Sequence, residues 1–325
     1  MSIILDGETI ITAILPLDGG FYLIGSRKNN NYVIIIIKMN EALEIEWERT
    51  FGPETSDTEG HSASLVEDGL LVCGCSGGKA TPTGGQGWKA HLMKLSRSGE
   101  PIWERAIRIR GNECAYNVLP GSKMLIFGET KDSEGQGFFL SCLDSEGNVE
   151  WTKDHGKYDG VMAGGIIDTR DGFIFSGSVK TGKKWQSRLF GVGMTGETEW
   201  MIDVACERIF QMRSVEGGFI MVGERSGNIF LARADYTGNM LWEQEFGAGT
   251  GISVFPDGEK FLLGGENRDG NPIVCRIGPD GFLIRRIMLE GEGWIEAISK
   301  YNERIVLARH IPEPRERTEI IFVDF

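Results

Sequence analysis

Apolar and polar residues alternate between turns in a pattern that recurs along the whole chain. Each recurrence opens on a turn, continues through four apolar residues and ends on a small residue: Gly20-Phe-Tyr-Leu-Ile-Gly25, Gly69-Leu-Leu-Val-Cys-Gly74, Lys123-Met-Leu-Ile-Phe-Gly128 and Gly172-Phe-Ile-Phe-Ser-Gly177 in the first half. Gly218-Phe-Ile-Met-Val-Gly223, Glu259-Lys-Phe-Leu-Leu-Gly264 and Glu303-Arg-Ile-Val-Leu-Ala308 continue it. A continuous apolar run of this length between turn signals reads as a strand buried on both faces, and its terminal glycine as a place where backbones crowd together. A second strand follows, then a hairpin and a strand carrying tryptophan, with one spacing at Gly99 and Trp103, Gly147 and Trp151, Gly196 and Trp200, and Gly238 and Trp242. In the first unit Ile45, Trp47, Arg49 and Phe51 alternate with Glu44, Glu46 and Glu48, as expected of a half-exposed outer strand. Ahead of each apolar quartet lies a strand rich in small residues, among them Ala13, Ser62, Ala115, Gly164 and Ser253.

Each unit is therefore a four-stranded antiparallel meander, too thin to bury its own faces, so neighbouring units must stack. The expectation is an all-β protein, a single seven-bladed β-propeller domain over residues 1–325. Its blades fall at about 12–52, 60–111, 114–156, 161–206, 208–249, 250–293 and 294–325, the last completed by an N-terminal strand at 2–7. Pairing that strand beside 320–325 would close the ring and cover two strand edges.

The segment Ala234-Asp-Tyr-Thr-Gly-Asn-Met-Leu-Trp242 resembles the tryptophan-docking motif of pyrroloquinoline-quinone-like propeller repeats, and Leu143-Asp-Ser-Glu-Gly-Asn-Val-Glu-Trp151 is similar to it. The whole unit resembles the WD40-like and quinoprotein-like propellers. What the resemblance implies is a fold, because the motif residues hold blades together. Quinoprotein dehydrogenases share only the repeat, so no cofactor is carried over. Kelch propellers, with their glycine doublet, resemble the chain directly only at Gly264-Gly265. The sixth unit departs from the motif at Arg285, and the seventh lacks it.

Composition is that of a soluble globular chain, with 41% hydrophobic and 25% charged residues, and the net charge of −13 argues against nucleic acid and anionic membranes as partners. The longest apolar run, 32–37, is far short of the ~18 residues that span a bilayer. A cytoplasmic monomer is expected. The six cysteines form no CxxC pair and read as buried, reduced thiols; Cys73 and Cys75 share a face of one strand but have no histidine close in sequence, so no metal site is expected.

Propeller ligands bind where loops meet at the mouth of the central channel. There the connections between second and third strands carry Arg27, Lys28, Lys180, Lys183, Lys184, Arg225, Arg268, Arg309 and His310, a cationic rim on an acidic chain. Such a rim would attract a protein partner or a small anionic ligand. Ser62, Tyr116, Gln211 and Glu296 are the polar candidates for lining the channel, with His61 and Arg213 nearby. The long connection 76–87 reads as a surface excursion and does not match a phosphate-binding loop. No histidine stands near a serine or cysteine in a nucleophile motif. The function expected is noncatalytic binding or scaffolding, and the alternative is a hydrolase or lyase using an acid such as Glu296.

Overall fold

The computed structural model describes residues 2–53, 55–77, 87–121, 123–312, 314 and 316–324. The described residues are all-β and fall into two compact units, 6–161 and a second made of 1–5 with 162–325. Among the described residues no helix is long and apolar enough to cross a membrane.

Strand β1 (Ser2–Ile4) opens the chain. The first unit then holds three four-stranded antiparallel sheets. The first is β2 (Glu8–Leu17), β3 (Gly20–Lys28), β4 (Tyr32–Asn40) and β5 (Ile45–Phe51). The next is β6 (Asp57–Val66), β7 (Gly69–Gly77), β8 (Lys89–Ser96) and β9 (Pro101–Ile107), and the third is β10 (Asn112–Leu119), β11 (Met124–Asp132), β12 (Gly135–Leu143) and β13 (Val149–Tyr158). In the other unit a fourth sheet comprises β14 (Gly160–Asp168), β15 (Gly172–Thr181), β16 (Lys184–Gly193) and β17 (Thr198–Val204). A seven-stranded sheet follows: β18 (Arg208–Val215), β19 (Gly218–Arg225), β20 (Asn228–Ala234), β21 (Met240–Asp257), β22 (Lys260–Asn267), β23 (Pro272–Ile277) and β24 (Leu283–Met288). The last sheet joins β25 (Trp294–Tyr301), β26 (Arg304–Ile311) and β27 (Arg317–Val323) to β1, with Ser2, Ile3 and Ile4 opposite Ile321, Ile320 and Glu319.

The seven apolar quartets lie on β3, β7, β11, β15, β19, β22 and β26. Phe21, Leu23 and Ile24, and all of Phe219 to Val222, lose their entire surface, as strands covered on both faces must. Within each unit the burial is mutual between neighbouring sets of strands. Ile24, Ile34 and Ile36 pack with Leu70, Val72 and Met93, while Ile220 and Val222 pack with Val254 and Leu263.

The glycine-to-tryptophan spacing has a direct structural cause. A Cβ placed on Gly99 would come within 2.7 Å of the Trp47 ring, and one on Gly281 within 2.9 Å of Trp242. Trp47 thus packs on the hairpin of the following sheet and Trp242 on the β23–β24 hairpin, where Trp242 Nε1 also donates to the Pro279 carbonyl at 3.0 Å. The aspartate of the motif ties its own turn: Asp144 Oδ1 accepts from the backbone N–H groups of Glu146 and Asn148 at 2.9 Å each, and Asp235 does the same for Thr237 and Asn239.

Two details differ from the sequence pattern. Ile45 is 47% exposed rather than sharing the covered face of Trp47, because a bulge at Glu46 shifts the pairing and turns Ile45 outward. At the expected blade boundary, 249/250, the strand runs on while its pairing changes: β21 pairs with β20 through its first half and with β22 through its second.

Candidate functional site

Register creates the site. In β2, β6, β10, β18 and β25, as well as in the second half of β21, one residue is left over in the pairing, at Thr12, His61, Tyr116, Phe210, Glu296 and Ile252 respectively. Such a bulge re-aims the extra side chain. In the unit 6–161 it sets His61 and Tyr116 ring to ring, 4.8 Å between centroids.

The residue after the quartet glycine reaches the first strand of the next sheet. Ser26 Oγ accepts from Gly60 N at 3.0 Å, and Ser178 Oγ accepts from Ile209 N at 3.1 Å. Cys75 holds that position in the second sheet, and its sulfur is bonded to Cys114 of β10 across a Cα separation of 4.8 Å. This corrects the expectation of six reduced thiols; Cys73, Cys142, Cys206 and Cys275 are free and buried. His61 Nε2 is 3.4 Å from Cys75 Sγ and 3.6 Å from Glu59 Oε2. One ligand atom each from His61, Cys75 and Cys114 lies within 4.8 Å of the others, so the expectation of no histidine beside the sulfurs is also corrected. A sequence scan misses the group because its members lie on three strands, and only superposing the repeats aligns Cys75 with the linking serines.

Cys75 and Cys114 border a cavity of about 240 Å³, lined also by Glu59, Trp88, Glu113, Tyr116 and Glu129. Burial lowers His61 to about 4, although a fifth of its side chain remains exposed. Burial raises Glu59, with Asp57 adding to it. Tyr116 is raised by burial and by Glu129 and Glu59. Glu113 is fully buried; one oxygen accepts from Arg110 N at 2.9 Å and from Thr130 Oγ1 at 3.2 Å, and the other, among the described residues, has no partner.

The cationic positions divide into two groups. Arg27 is clamped by Glu48, Lys28 lies 3.5 Å from Glu8, Arg225 is 2.6 Å from Glu243, and Arg309 is 3.3 Å from Glu319. His310 is buried and stacks on Trp294 at 4.1 Å. Arg268 is exposed. On the β15–β16 hairpin the charges are gathered instead: Lys180 Nζ sits 5.9 Å and Arg208 Cζ 5.4 Å from the Trp185 ring centre, with exposed Lys183 and Lys184 beside them in the turn. Among the described residues, none of these four cations makes an ion pair with a carboxylate.

Of the polar candidates for the channel, Ser62 is half-buried, and Gln211 Oε1 accepts from Val254 N at 2.7 Å. Glu296 accepts from Trp294 Nε1 at 2.6 Å; burial raises its carboxyl and that hydrogen bond only partly opposes the rise. Arg213 is exposed on β18. A wider cleft of about 610 Å³ lies at the opposite end of the fourth sheet, beside Asp168, Arg170, Glu199, Trp200 and Tyr236. It is open and lined with both signs of charge. Residues 78–86 of the long connection lie outside the described residues.

No protein-family description matches the chain, and no curated protein matches it. Among solved structures it is similar to the crystal structure of puromycin hydrolase, with a TM-score of 0.63 at 12% identity, over 98% of this chain and 52% of that one. The chain thus spans about half the length of that protein. It is also similar to a protein of unknown function from Bacteroides caccae, with a TM-score of 0.50 at 11% identity, over 82% of this chain and 93% of that one. At such identities the likeness defines a fold, and together with the repeated four-stranded sheets that fold is propeller-like.

Proposed function

We propose that the chain is a monomeric, closed seven-bladed propeller of the quinoprotein-like kind that binds, without catalysis, an acidic segment of a protein partner. The blade count is supported by the seven buried quartets and by the two halves of β21, each of which pairs as the edge of its own four-stranded set. Closure is supported by the pairing of β1 with β27. The family reading is supported by the tryptophans that lie on the next hairpin and by the aspartate-tied turns.

The observation that carries the binding reading is the cluster of Lys180, Lys183, Lys184 and Arg208 around Trp185. Cations that already face a carboxylate have little left to offer a ligand, whereas these four have no such partner among the described residues. Lys183 and Lys184 stand exposed at the β15–β16 turn, an open setting that suits an extended acidic segment better than a small molecule. Charges at such a rim act mainly on the rate of encounter, so binding should weaken steeply with salt. For the hydrolase or lyase alternative, Glu296 would need a proton-exchange partner active near neutrality, and the Trp294 indole that bonds it is not one.

The test compares wild type with a Lys180→Glu, Lys183→Glu, Lys184→Glu variant on immobilised polyglutamate and on a phosphorylated peptide. Salt-sensitive retention of the wild type and its loss in the variant are expected. Equal retention of the two proteins would end the reading.

A further inference from the structure

We propose that His61, Cys75 and Cys114 form a redox-gated binding site for a thiophilic divalent cation of the zinc class. Nothing in this inference rests on the anionic-partner reading, which concerns other residues in the other unit.

The donor set is the first reason. Two sulfurs and one imidazole nitrogen match the ligand chemistry that zinc prefers over the hard cations, which take oxygen donors. Geometry is the second. In a tetrahedral zinc site with Zn–S of ~2.3 Å and Zn–N of ~2.05 Å, a sulfur and a nitrogen sharing the ion lie about 3.5 Å apart. Cys75 Sγ and His61 Nε2 are 3.4 Å apart. Two sulfurs on one zinc lie about 3.8 Å apart, a spacing reached from a disulfide by side-chain rotation alone. The surroundings are the third. Glu59 Oε2, 3.6 Å from His61 Nε2, supplies an oxygen donor for the fourth position. The cavity of about 240 Å³ that Cys75 and Cys114 border gives an ion access from outside. Into that cavity's wall is built the fully buried Glu113, whose second oxygen, among the described residues, has no partner, so the local field favours a cation.

Gating follows from the same sulfurs serving two bonds that exclude each other. With Cys75 and Cys114 joined, neither sulfur is a thiolate and the site is shut. A dithiol reductant opens it: two electrons pass from the reductant into the S–S bond, the reductant becomes a disulfide, and its two protons end on Cys75 and Cys114. The cation then displaces both thiol protons to solvent and accepts a lone pair from His61 Nε2. Re-oxidation by a disulfide runs the exchange backward and expels the ion.

The experiment uses the full chain in two preparations, oxidised and dithiol-reduced with the reductant then removed. Thiol titration after denaturation should count four thiols in the first and six in the second. Zn²⁺ titrated in competition with a chromophoric chelator should bind once per reduced chain and not to the oxidised chain. Co²⁺ should give a thiolate-to-metal charge-transfer band in the reduced form only, a readout needing no variant. Cys75→Ser and Cys114→Ser should each abolish tight binding, and His61→Ala should weaken it at least tenfold, while Cys206→Ala should retain it. The proposal is overturned if reduced wild type binds no Zn²⁺ and gives no Co²⁺ band. It is overturned equally if the oxidised chain shows six thiols, or if the two cysteine variants bind Zn²⁺ as well as wild type.

Discussion

Replacing Leu5 by alanine tests the role of the N-terminal strand without removing it. Leu5 is 3% exposed and its backbone N–H donates to the Thr318 carbonyl at 2.9 Å, whereas its neighbour Ile4 is 49% exposed. Truncating a buried leucine costs about 2–5 kcal/mol, and a site at the rim of a sheet, free to relax, belongs at about 2–3 kcal/mol. Unfolding entropy of ~2.1 cal/mol/K per residue gives a chain of 325 residues about 0.7 kcal/mol/K, so the thermal midpoint should fall by about 3–4 °C. Ile4→Ala, losing a side chain already half in water, should change stability by less than ~0.5 kcal/mol. Scanning calorimetry of wild type and both variants under one buffer decides the matter. If Leu5→Ala shifts the midpoint no more than Ile4→Ala does, the strand is not anchored through that side chain and the role given to it in closing the last sheet is mistaken.

Two further outcomes are expected. Gly99 (φ +78°) and Gly217 (φ +74°) hold the same left-handed backbone, but a Cβ would strike Trp47 only at Gly99 and meets open space at Gly217. In denaturant unfolding Gly217→Ala should therefore cost about 1 kcal/mol and Gly99→Ala about 2–4 kcal/mol, and equal costs would remove tryptophan docking as the reason for the spacing. Asp257 feels an upward push from burial that is outweighed by hydrogen bonds from Lys300 at 2.8 Å and from Arg276, leaving its carboxyl below the ordinary range. A depressed carboxylate stabilises the fold above its unfolded pKa, and that contribution disappears as pH falls through the folded value. Asp257→Asn should cost about 1–2 kcal/mol at neutral pH and nothing once wild type is protonated too; a deficit that persists in acid would contradict the linkage.

The repeat was legible because its signal is local. An apolar quartet between turns has one low-energy use, and a glycine four residues before tryptophan reflects a turn that lacks space for a Cβ. The run Gly247-Ala-Gly249-Thr-Gly251 shows the limit of such signals: clustered glycines usually mark a loop, yet here Gly247 (φ +88°) and Gly249 (φ +142°) lie within β21 without ending it. The site was far harder to read. Cys75 and Cys114 are 39 residues apart, and what joins them is the stacking of two sheets together with bulges at His61 and Tyr116 that no linear motif announces. The cationic positions were legible in composition but not in effect, since the carboxylates that neutralise Arg27, Arg225 and Arg309 come from other strands of the same sheets.

Strand β21, eighteen residues in one unbroken run, links two sets of strands that elsewhere are joined by turns. Its first half pairs only with β20 and its second only with β22, so the two sets are tied by continuous backbone and not by shared hydrogen bonds. Amide protons of β18 to β20 and of β22 to β24 should then exchange with solvent as two separate blocks.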